Sequence, residues 1–219
     1  MKMFLYPCLL INFMKQKSLV LIIDFYDSFT FNIASELYLK NIPCRVVPYD
    51  CSWEREASEK IIIWGPGPGH PRDYSSVFPQ LKKLFADREI FHMGICLGHQ
   101  LFFSSSNYKI EKCITPMHGQ TIPLKIPRWK DMFSSEYFSK GLQVQRYNSL
   151  AVKDNCFNQE QKILNRKLYQ KISYKKEVIM SYGENWISYQ FHPESVATEG
   201  RKCFFEPLAK FLYNKECSN

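Results

Sequence analysis

The sequence predicts an α/β protein built on a mainly parallel sheet that helices cover on both faces, with a small antiparallel extension. Three observations lead to this prediction. Apolar runs alternate with helical periodicity through the first half of the chain, which is typical of a parallel sheet buried on both faces. Beyond Thr115 the pattern changes to short strand-like runs, which favours antiparallel pairing. The length of 219 residues, 45% of them hydrophobic, suffices for one such domain with a substantial core.

Apolar runs bounded by turn residues predict the strands of the first half of the chain, at 19–23, 45–48, 61–64 and 89–95. Helical spacing predicts two helices over 29–39 and 74–86. Asp27 or Ser28 would cap the first helix. The second helix would bury a face formed by Val77, Leu81, Leu84 and Phe85. The glycines and prolines of 65–71 exclude regular structure between the third strand and the second helix.

The second half of the chain contains shorter apolar runs, which we interpret as antiparallel additions to the sheet. They lie at 121–126, 142–145, 150–152, 178–182 and 186–191. An amphipathic helix over 201–213 is expected to close the domain. We find no linker and no internal repeat, so the pattern indicates one domain.

The first 17 residues are expected to be a dispensable N-terminal extension, because the first convincing core strand begins at Leu19. The apolar stretch 4–14 contains Pro7 and Asn12, and it is too short to span a bilayer. No small-residue cleavage site follows it, which argues against a signal peptide. The sequence therefore predicts no membrane partner.

The net charge of the chain is +8, and one polar run, 159–176, contributes part of it because it is rich in lysine and arginine. Such a run could face nucleic acid or an acidic partner. No nucleic-acid-binding motif accompanies it, so we favour a solvated loop or helix face and expect no nucleic-acid partner. Eight cysteines occur without paired short spacings or a C-x-x-C pattern, which predicts neither a metal site nor a disulfide framework. Free thiols fit a reducing cytoplasm.

The most informative segment places a cysteine between two glycines at a predicted strand-to-helix turn, in the run Gly94-Ile95-Cys96-Leu97-Gly98-His99-Gln100. A side chain at such a turn projects outward, and the residues two positions before and after it must be nearly bare. This pattern is that of a nucleophile elbow with sulfur in place of the serine oxygen. The helix N-terminus beneath the sulfur favours the reactive thiolate. The alternative is a buried core cysteine beside a glycine turn.

A cysteine nucleophile needs a base and a group that orients the base. His92 lies inside a predicted central strand and is expected to be a core residue. His192 instead ends an aromatic strand and precedes Pro193, which favours extended backbone. His192 and Glu194 would then point the same way, so the carboxylate could hold the imidazole. The alternative is a surface His-Pro-Glu turn.

These segments resemble a known family. The elbow around Cys96 and the run Gln190-Phe191-His192-Pro193-Glu194-Ser195 resemble the class I glutamine amidotransferases over about 19–198. Three further segments are similar to the glutaminase component (component II) of anthranilate synthase and aminodeoxychorismate synthase. They are Asp24-Phe25-Tyr26-Asp27-Ser28-Phe29-Thr30-Phe31-Asn32, Pro66-Gly67-Pro68-Gly69 and Arg146-Tyr147-Asn148-Ser149-Leu150. Several separate motifs in the right order argue against a chance match.

The resemblance implies a flavodoxin-like fold and an amidotransferase domain over 18–219. It implies that Cys96 attacks the side-chain amide of glutamine. His192, oriented by Glu194, would pass a proton to the departing ammonia and then activate water against the thioester. Backbone N–H groups would stabilise the oxyanion. The expected substrate-binding residues lie in three segments: Gly67, Pro68, Gly69, Leu97, Gln100, Ser149 and Leu150.

The resemblance also implies two partners, L-glutamine and a chorismate-binding synthase subunit (component I) that receives the ammonia. The sequence has no motif for a chorismate site or an ATP phosphate loop, and we expect neither cofactor nor metal. The product would serve tryptophan or folate biosynthesis, between which the sequence does not choose. The alternatives are the glutaminase part of another class I amidotransferase, such as those making GMP, CTP or carbamoyl phosphate, and a non-catalytic binding module. The Asp-Ser-Phe-Thr segment argues against the first, and the intact set of Cys96, His192 and Glu194 against the second.

The sequence departs from the family pattern at two places near these motifs. Family members commonly carry histidine at the position of Asn148, and both side chains are polar. The elbow helix usually ends in a Gly-Gly turn, which Ser106-Asn107-Tyr108 replaces here. Asparagine adopts the required left-handed conformation readily. Neither departure removes an expected catalytic group.

Overall fold

The computed structural model describes residues 17–154 and 162–216. In these residues the strands β1 to β12 are Val20–Asp24, Cys44–Pro48, Ile61–Trp64, Phe91–Ile95, Ile110–Lys112, Gln120–Lys125, Gly141–Arg146, Leu150–Val152, Lys162–Ile163, Arg166–Tyr174, Glu177–Gly183 and Trp186–Tyr189. The helices α1 to α5 are Thr30–Tyr38, Phe78–Ala86, Leu97–Ser104, Arg201–Phe204 and Glu206–Glu216. Two 3₁₀ helices span Pro71–Val77 and Ser135–Tyr137.

The main sheet contains eight of the described strands in the order β2-β1-β3-β4-β12-β11-β10-β9. The first five of these strands are parallel, and β11, β10 and β9 extend the sheet by antiparallel pairing. Two small antiparallel pairs, β5 with β8 and β6 with β7, lie outside it. The observed architecture confirms the predicted α/β class with its antiparallel extension.

Residues of the parallel strands alternate between two apolar clusters, one on each face of the sheet. Val20 and Ile22 of β1 pack in the cluster that contains residues of α1, α4 and α5. Leu21 and Ile23 pack in the cluster that contains residues of α2 and α3. All four side chains are fully buried. Burial on both faces explains why the sequence of these strands is continuously apolar rather than alternating.

The pairing of β12 corrects one prediction. The run 186–191 was expected to be an antiparallel addition, but β12 pairs in parallel with β4, with Trp186 opposite His92. It is antiparallel only to β11, with which it forms a hairpin. Apolar periodicity indicates which residues are buried but not the direction of a strand, so the sequence pattern could not distinguish parallel from antiparallel pairing. As a result, the carboxyl ends of β4 and β12 lie side by side, which brings together the residues that follow the two strands.

The predicted cap of the first helix is also wrong. Helix α1 begins at Thr30, and no side chain caps it at Phe29. Asp27 instead accepts a hydrogen bond from the N–H of Phe29 at 2.9 Å. The turn that precedes α1 is thus stabilised by Asp27, while the helix itself starts later than the sequence suggested.

Two predicted helices are each divided. The region 74–86 consists of the 3₁₀ helix Pro71–Val77 followed by α2, in which Pro79 stands in the first turn. The closing helix over 201–213 is broken at Phe205 into α4 and α5. Pro79 lacks the N–H that a continuous helix would use at its position, which favours a new start. The buried side chains of the predicted inner face include Val77, Leu81 and Phe85, whereas Leu84 is partly exposed.

The basic run 159–176 is neither a loop nor a helix face where the structure describes it. From Lys162 onward it forms β9, β10 and the turn into β11 at the edge of the sheet. Arg166 is fully buried and donates hydrogen bonds to backbone carbonyls. The interpretation of the whole run as solvated is therefore wrong for Arg166.

Three further observations concern the chain as a whole. No helix in the described residues is both long enough and apolar enough to cross a membrane. The cysteines in the described part of the chain are free thiols, namely Cys44, Cys51, Cys96, Cys113 and Cys203. The predicted extension over 1–17 lies, apart from Lys17, outside the described residues.

Candidate active site

Cys96 is the single residue between β4, which ends at Ile95, and α3, which begins at Leu97. Its φ of 51° and ψ of −99° form a strained conformation for a residue with a side chain. The strain is maintained by neighbours, since its N–H donates to the carbonyl oxygen of Tyr189 in β12 at 2.8 Å. The exposed fraction of Cys96 is only 7%.

Gly94 and Gly98 permit this turn because backbone passes directly over both of them. A Cβ on Gly94 would lie 2.8 Å from the carbonyl carbon of Gly98. A Cβ on Gly98 would lie 2.0 Å from the carbonyl oxygen of Trp64 in β3. The predicted need for bare residues on either side of Cys96 is therefore confirmed.

His192 and Glu194 lie on the loop after β12, at the same edge of the sheet as Cys96. Glu194 Oε1 is 2.7 Å from Nδ1 of His192, and both side chains are almost fully buried. This contact confirms that the His-Pro-Glu run points the two side chains in the same direction. Because Nδ1 faces the carboxylate, Nε2 is the nitrogen that remains to exchange a proton.

The electrostatic surroundings keep the imidazole protonated. Burial alone lowers the pKa of His192, but the negative charge of Glu194, with a further contribution from Cys96, outweighs burial. Together they hold the pKa well above the ordinary value of 6.5. Nε2 of His192 and Oε2 of Glu194 are buried and have no hydrogen-bond partner among the described residues. The arrangement provides a cysteine beside a charged, carboxylate-held imidazole.

The loop that carries His192 is held by β7. The N–H of His192 donates to the carbonyl oxygen of Gln145 at 2.8 Å. Thr198 Oγ1 donates to the carbonyl oxygen of His192 at 2.6 Å and accepts from the N–H of Gln145 at 3.0 Å. Ser195 Oγ donates to Gln145 Oε1. These contacts fix the imidazole through its own backbone.

A cavity of about 110 Å³ lies beside Cys96. Pockets for drug-sized ligands run from ~300 to ~1,000 Å³, so this one suits a small metabolite. It is lined by Gly67, Pro68, Gly69, Cys96, Gln100, Tyr147, Asn148, Ser149 and Leu150. The structure thus places all the predicted substrate-binding residues on its wall except Leu97, which opens α3 next to it. A larger hollow of about 650 Å³, between Trp53 and Lys83, contains no cysteine or histidine.

The two segments that were predicted to supply backbone donors for an oxyanion lie next to each other. Leu97 is the first residue of α3, where N–H groups have no acceptor within the helix. The loop 67–69 packs against it so closely that a Cβ on Gly67 would lie 2.6 Å from Leu97 Cδ2. Gly69 has a φ of +76°, which a side chain would disfavour.

Three residues that contact the predicted triad were missed by the sequence reasoning. Phe29 and Tyr147 pack on the ring of His192, with centroids 4.9 Å and 5.2 Å from it. Gln190 Nε2 lies 3.9 Å from Cys96 Sγ, and its Oε1 accepts from Gln100 Nε2 at 3.1 Å. Parallel pairing of β12 with β4 would have revealed Gln190, because it places Tyr189 opposite Ile95 and hence the next residues together.

The other buried histidines are unsuited to serve as the base. His92 is fully buried in β4, stacks on Phe85 and accepts from Trp64 Nε1, as expected of a core residue. Burial lowers the pKa of His92 well below 6.5 and that of His99 to about 3. His99 Nδ1 is 2.8 Å from Ser188 Oγ.

The two departures from the family pattern are accommodated by contacts. Asn148 accepts from Arg146 Nε and donates to the carbonyl oxygen of Leu150 and to Cys113 Sγ, so its amide is fully engaged. Asn107 has a φ of 66°, which confirms the predicted left-handed turn after α3. In the described residues, no group of three or more His, Cys, Asp or Glu could hold a metal ion.

Comparison with known proteins identifies the family. The family model for glutamine amidotransferase class-I matches residues 21–211. The chain belongs to this family. It is 34% identical over 189 residues to anthranilate synthase component 2 of Cyanidium caldarium, covering 82% of this chain and 92% of that protein. Anthranilate synthase component 2 of Leptospira biflexa is 32% identical over 199 residues, covering 84% and 95%.

The amidotransferase fold is also shared with proteins of much lower sequence identity. The crystal structure of a glutamine amidotransferase from Thermotoga maritima superposes with a TM-score of 0.62. It is 16% identical, and the match covers 92% of this chain and 86% of that one. This likeness concerns the fold alone, which is the expected flavodoxin-like one.

Proposed function

We propose that this amidotransferase is the glutaminase subunit of a chorismate-using synthase. It hydrolyses L-glutamine and delivers the ammonia to a synthase subunit (component I) that makes anthranilate or 4-amino-4-deoxychorismate. The observation that carries the proposal is the contact between His192 and Glu194 beside the strained Cys96, at the wall of a small cavity. Relatives named anthranilate synthase component 2, similar over more than four fifths of this chain, support the choice of partner.

The first half of the reaction forms a thioester and releases ammonia. The sulfur of Cys96 attacks the carboxamide carbon of glutamine, and its proton resides on Nε2 of His192. The oxyanion accepts hydrogen bonds from the N–H of Leu97 and from one N–H of the 67–69 loop. When the intermediate collapses, the carbon–nitrogen bond breaks and His192 gives its proton to the departing amine. Loss of one oxyanion donor typically costs ~10²–10³ in rate.

The second half restores the enzyme. His192, now neutral, takes a proton from water as the water oxygen attacks the thioester carbon. The carbon–sulfur bond breaks and glutamate leaves, while the proton taken from water stays on His192, which restores the imidazolium and the thiolate of the starting state. Glu194 stabilises the imidazolium in both halves and fixes its tautomer. The chemistry requires a reduced thiol at position 96, and we therefore assign the enzyme to the cytoplasm.

The isolated glutaminase is expected to be slow, because partner docking completes many sites of this kind. The ammonia acceptor would be bound by the second chain and not by this one. We infer a heteromeric complex in which ammonia passes between the subunits. Tryptophan and folate biosynthesis remain the two candidate pathways, and product analysis with chorismate and glutamine distinguishes them.

The decisive test is Cys96→Ala in the complex that co-purifies with the native chain. Glutamine-dependent synthesis should be abolished, whereas synthesis from added ammonium salts should be unchanged, because only ammonia generation requires the thiol. Loss of both activities would show that Cys96 is structural. Cys203→Ala, a change at another buried thiol, is the matched control and should preserve both activities.

A further inference from the structure

A second cluster of buried charge lies behind the cavity wall. Arg146, at the end of β7, and Glu177, at the start of β11, are 0% and 2% exposed. Arg146 NH2 donates to Glu177 Oε2 at 2.9 Å. Glu177 Oε1 accepts from Lys153 Nζ at 3.2 Å and from the N–H of Ile114 at 2.8 Å. Both carboxylate oxygens are therefore satisfied, as a buried ion pair requires.

The carboxylate of this cluster is charged. Burial raises the pKa of Glu177, but hydrogen bonds from Arg146, Ile114 and Lys153 outweigh burial and hold the pKa below its ordinary value of 4.5. The guanidinium thus has a fixed anionic partner on one side. A buried arginine held in this way presents its remaining N–H groups in a fixed direction.

A chain of hydrogen bonds leads from Arg146 to the cavity. Arg146 Nε donates to Asn148 Oδ1 at 2.9 Å, and Asn148 Nδ2 donates to the carbonyl oxygen of Leu150 at 2.9 Å. The same carbonyl oxygen accepts from Gln100 Nε2 at 2.9 Å. Asn148, Leu150 and Gln100 line the cavity, whereas Arg146 does not.

We propose that Arg146 is a positioning residue for the substrate, acting through Asn148 on the segment 148–150. The oxygen and the NH₂ group of the Asn148 side-chain amide have nearly the same shape. A hydrogen-bond donor that faces Oδ1 therefore determines that the NH₂ group faces the carbonyl oxygen of Leu150. Arg146 supplies that donor, and Glu177 holds Arg146 in place. This inference rests on the proposed glutaminase function, since it assigns the wall of the glutamine cavity.

Arg146→Lys and Asn148→Asp test the relay at its two ends. Lysine lacks the planar fork, and aspartate cannot donate to the carbonyl oxygen of Leu150. In the full-length chain, each should raise KM for L-glutamine about tenfold, while kcat stays within about threefold, because Cys96 and His192 are untouched. Labelling of Cys96 by the diazoketone analogue of L-glutamine should slow by the same factor. Labelling by iodoacetamide, which needs no glutamine site, should be unchanged.

Arg166→Lys is the matched control. Arg166 is the other arginine among the described residues that is 0% exposed, and it donates to backbone carbonyls far from the cavity. This variant should have a lower melting temperature with wild-type KM and labelling. If Arg146→Lys does not fold, Asn148→Asp decides, because it preserves both charges of the Arg146–Glu177 pair.

The outcomes separate the two proposals. Wild-type KM in a folded Arg146→Lys or Asn148→Asp chain overturns the positioning role, and so does an equal rise of KM in Arg166→Lys. Slower labelling by both reagents would indicate general damage to the site and also overturns it. If Cys96 of the wild-type chain shows no preference for the glutamine analogue, relative to a free thiol, then the proposed function fails and this inference fails with it.

Discussion

The two ends of the adjacent strands β4 and β12 are built in opposite ways. At the carboxyl end, Cys96 has a strained φ of 51°, and Nε2 of His192 is buried without a hydrogen-bond partner in the described residues. At the amino end, buried Arg166 donates to the backbone carbonyls of Phe85, Asp87, Ile90, Glu184 and Asn185. The amino end also has a positive φ, at Asn185, and a Trp186 Nε1 that is unpartnered in the part of the chain that the structure describes, so the two ends differ in the strained cysteine at one and the carbonyl oxygens satisfied by a buried arginine at the other.

The difference indicates what each end is for. The strained backbone at Cys96 lowers stability, and such strain persists at functional sites because the surrounding structure enforces it. The guanidinium of Arg166 instead joins the end of α2 to the starts of β4 and β12. We therefore expect the carboxyl end of these strands to determine activity and the amino end to determine stability. Substitutions at the two edges should separate these properties.

The largest expected effect is on turnover at the carboxyl edge. His192→Ala removes the group that transfers protons in both halves of the reaction, so kcat for glutamine hydrolysis should fall by roughly 10³. Glutamine binding, measured by calorimetry, should be retained. His99→Ala is the control and should keep near-normal turnover if the chain folds. Near-normal turnover in His192→Ala would remove its assigned role.

At the opposite edge we expect a loss of stability without a loss of function. Arg166→Met leaves several buried carbonyl oxygens without donors and should lower the free energy of unfolding by about 3–5 kcal/mol. The KM for glutamine should be unchanged. Urea unfolding and steady-state kinetics measure the two quantities.

Arg88 provides the matched control for that comparison. Its side chain is 47% exposed and pairs with Glu184 at the same edge. Arg88→Met should cost less than about 1 kcal/mol, as exposed ion pairs do. Equal losses of unfolding free energy in Arg88→Met and Arg166→Met would show that the buried contacts of Arg166 stabilise the fold no more than an exposed ion pair does. The stabilising role assigned to the amino end would then be wrong.

The last prediction is a pH dependence of stability. The pKa of His192 in the folded chain is raised. Burial lowers this pKa, but the charge of Glu194 raises it by more. Its contribution to stability is thus full below the unfolded value of about 6.5 and is lost as pH rises through the raised folded value. Across that window, the free energy of unfolding of the wild-type chain should fall by up to ~1.4 kcal/mol per pH unit relative to that of Glu194→Gln.

Urea unfolding at a series of pH values above 6.5 measures this difference. Glu199→Gln, on the same loop, should show the wild-type pH dependence because Glu199 Oε2 accepts from the N–H of Gln143 and not from His192. A pH-independent difference between the wild type and Glu194→Gln would contradict the assigned cause.

Much of the fold and of the site could be predicted because the signals are local. The strand Ile61–Trp64 was predicted with its observed bounds, since four consecutive apolar residues end at a Gly-Pro loop. The turn at Cys96 follows from the two glycines, and the pairing of His192 with Glu194 follows from the intervening proline. Each of these depends on sterics within a few residues.

The remainder depends on where distant segments meet. The parallel pairing of β12 with β4, the approach of Gln190 to Cys96 and the packing of Phe29 on His192 join positions 94 to 163 residues apart. The sequence spacing of Arg146 and Glu177 contains no sign of their buried contact. Such contacts are absent from any local pattern, which is why the basic run and the direction of β12 were misinterpreted.

The sequence by itself determined the layered α/β class, the glycine-flanked turn at Cys96 and the common direction of His192 and Glu194, because backbone sterics and apolar periodicity act over short distances. The tertiary structure alone decided that β4 and β12 end side by side, so that Cys96 and His192 lie close together, and that Arg146 lies behind the wall of the cavity beside Cys96. The physical reason is that periodicity records which side chains are buried, whereas strand direction and partner choice depend on the packing of the whole chain.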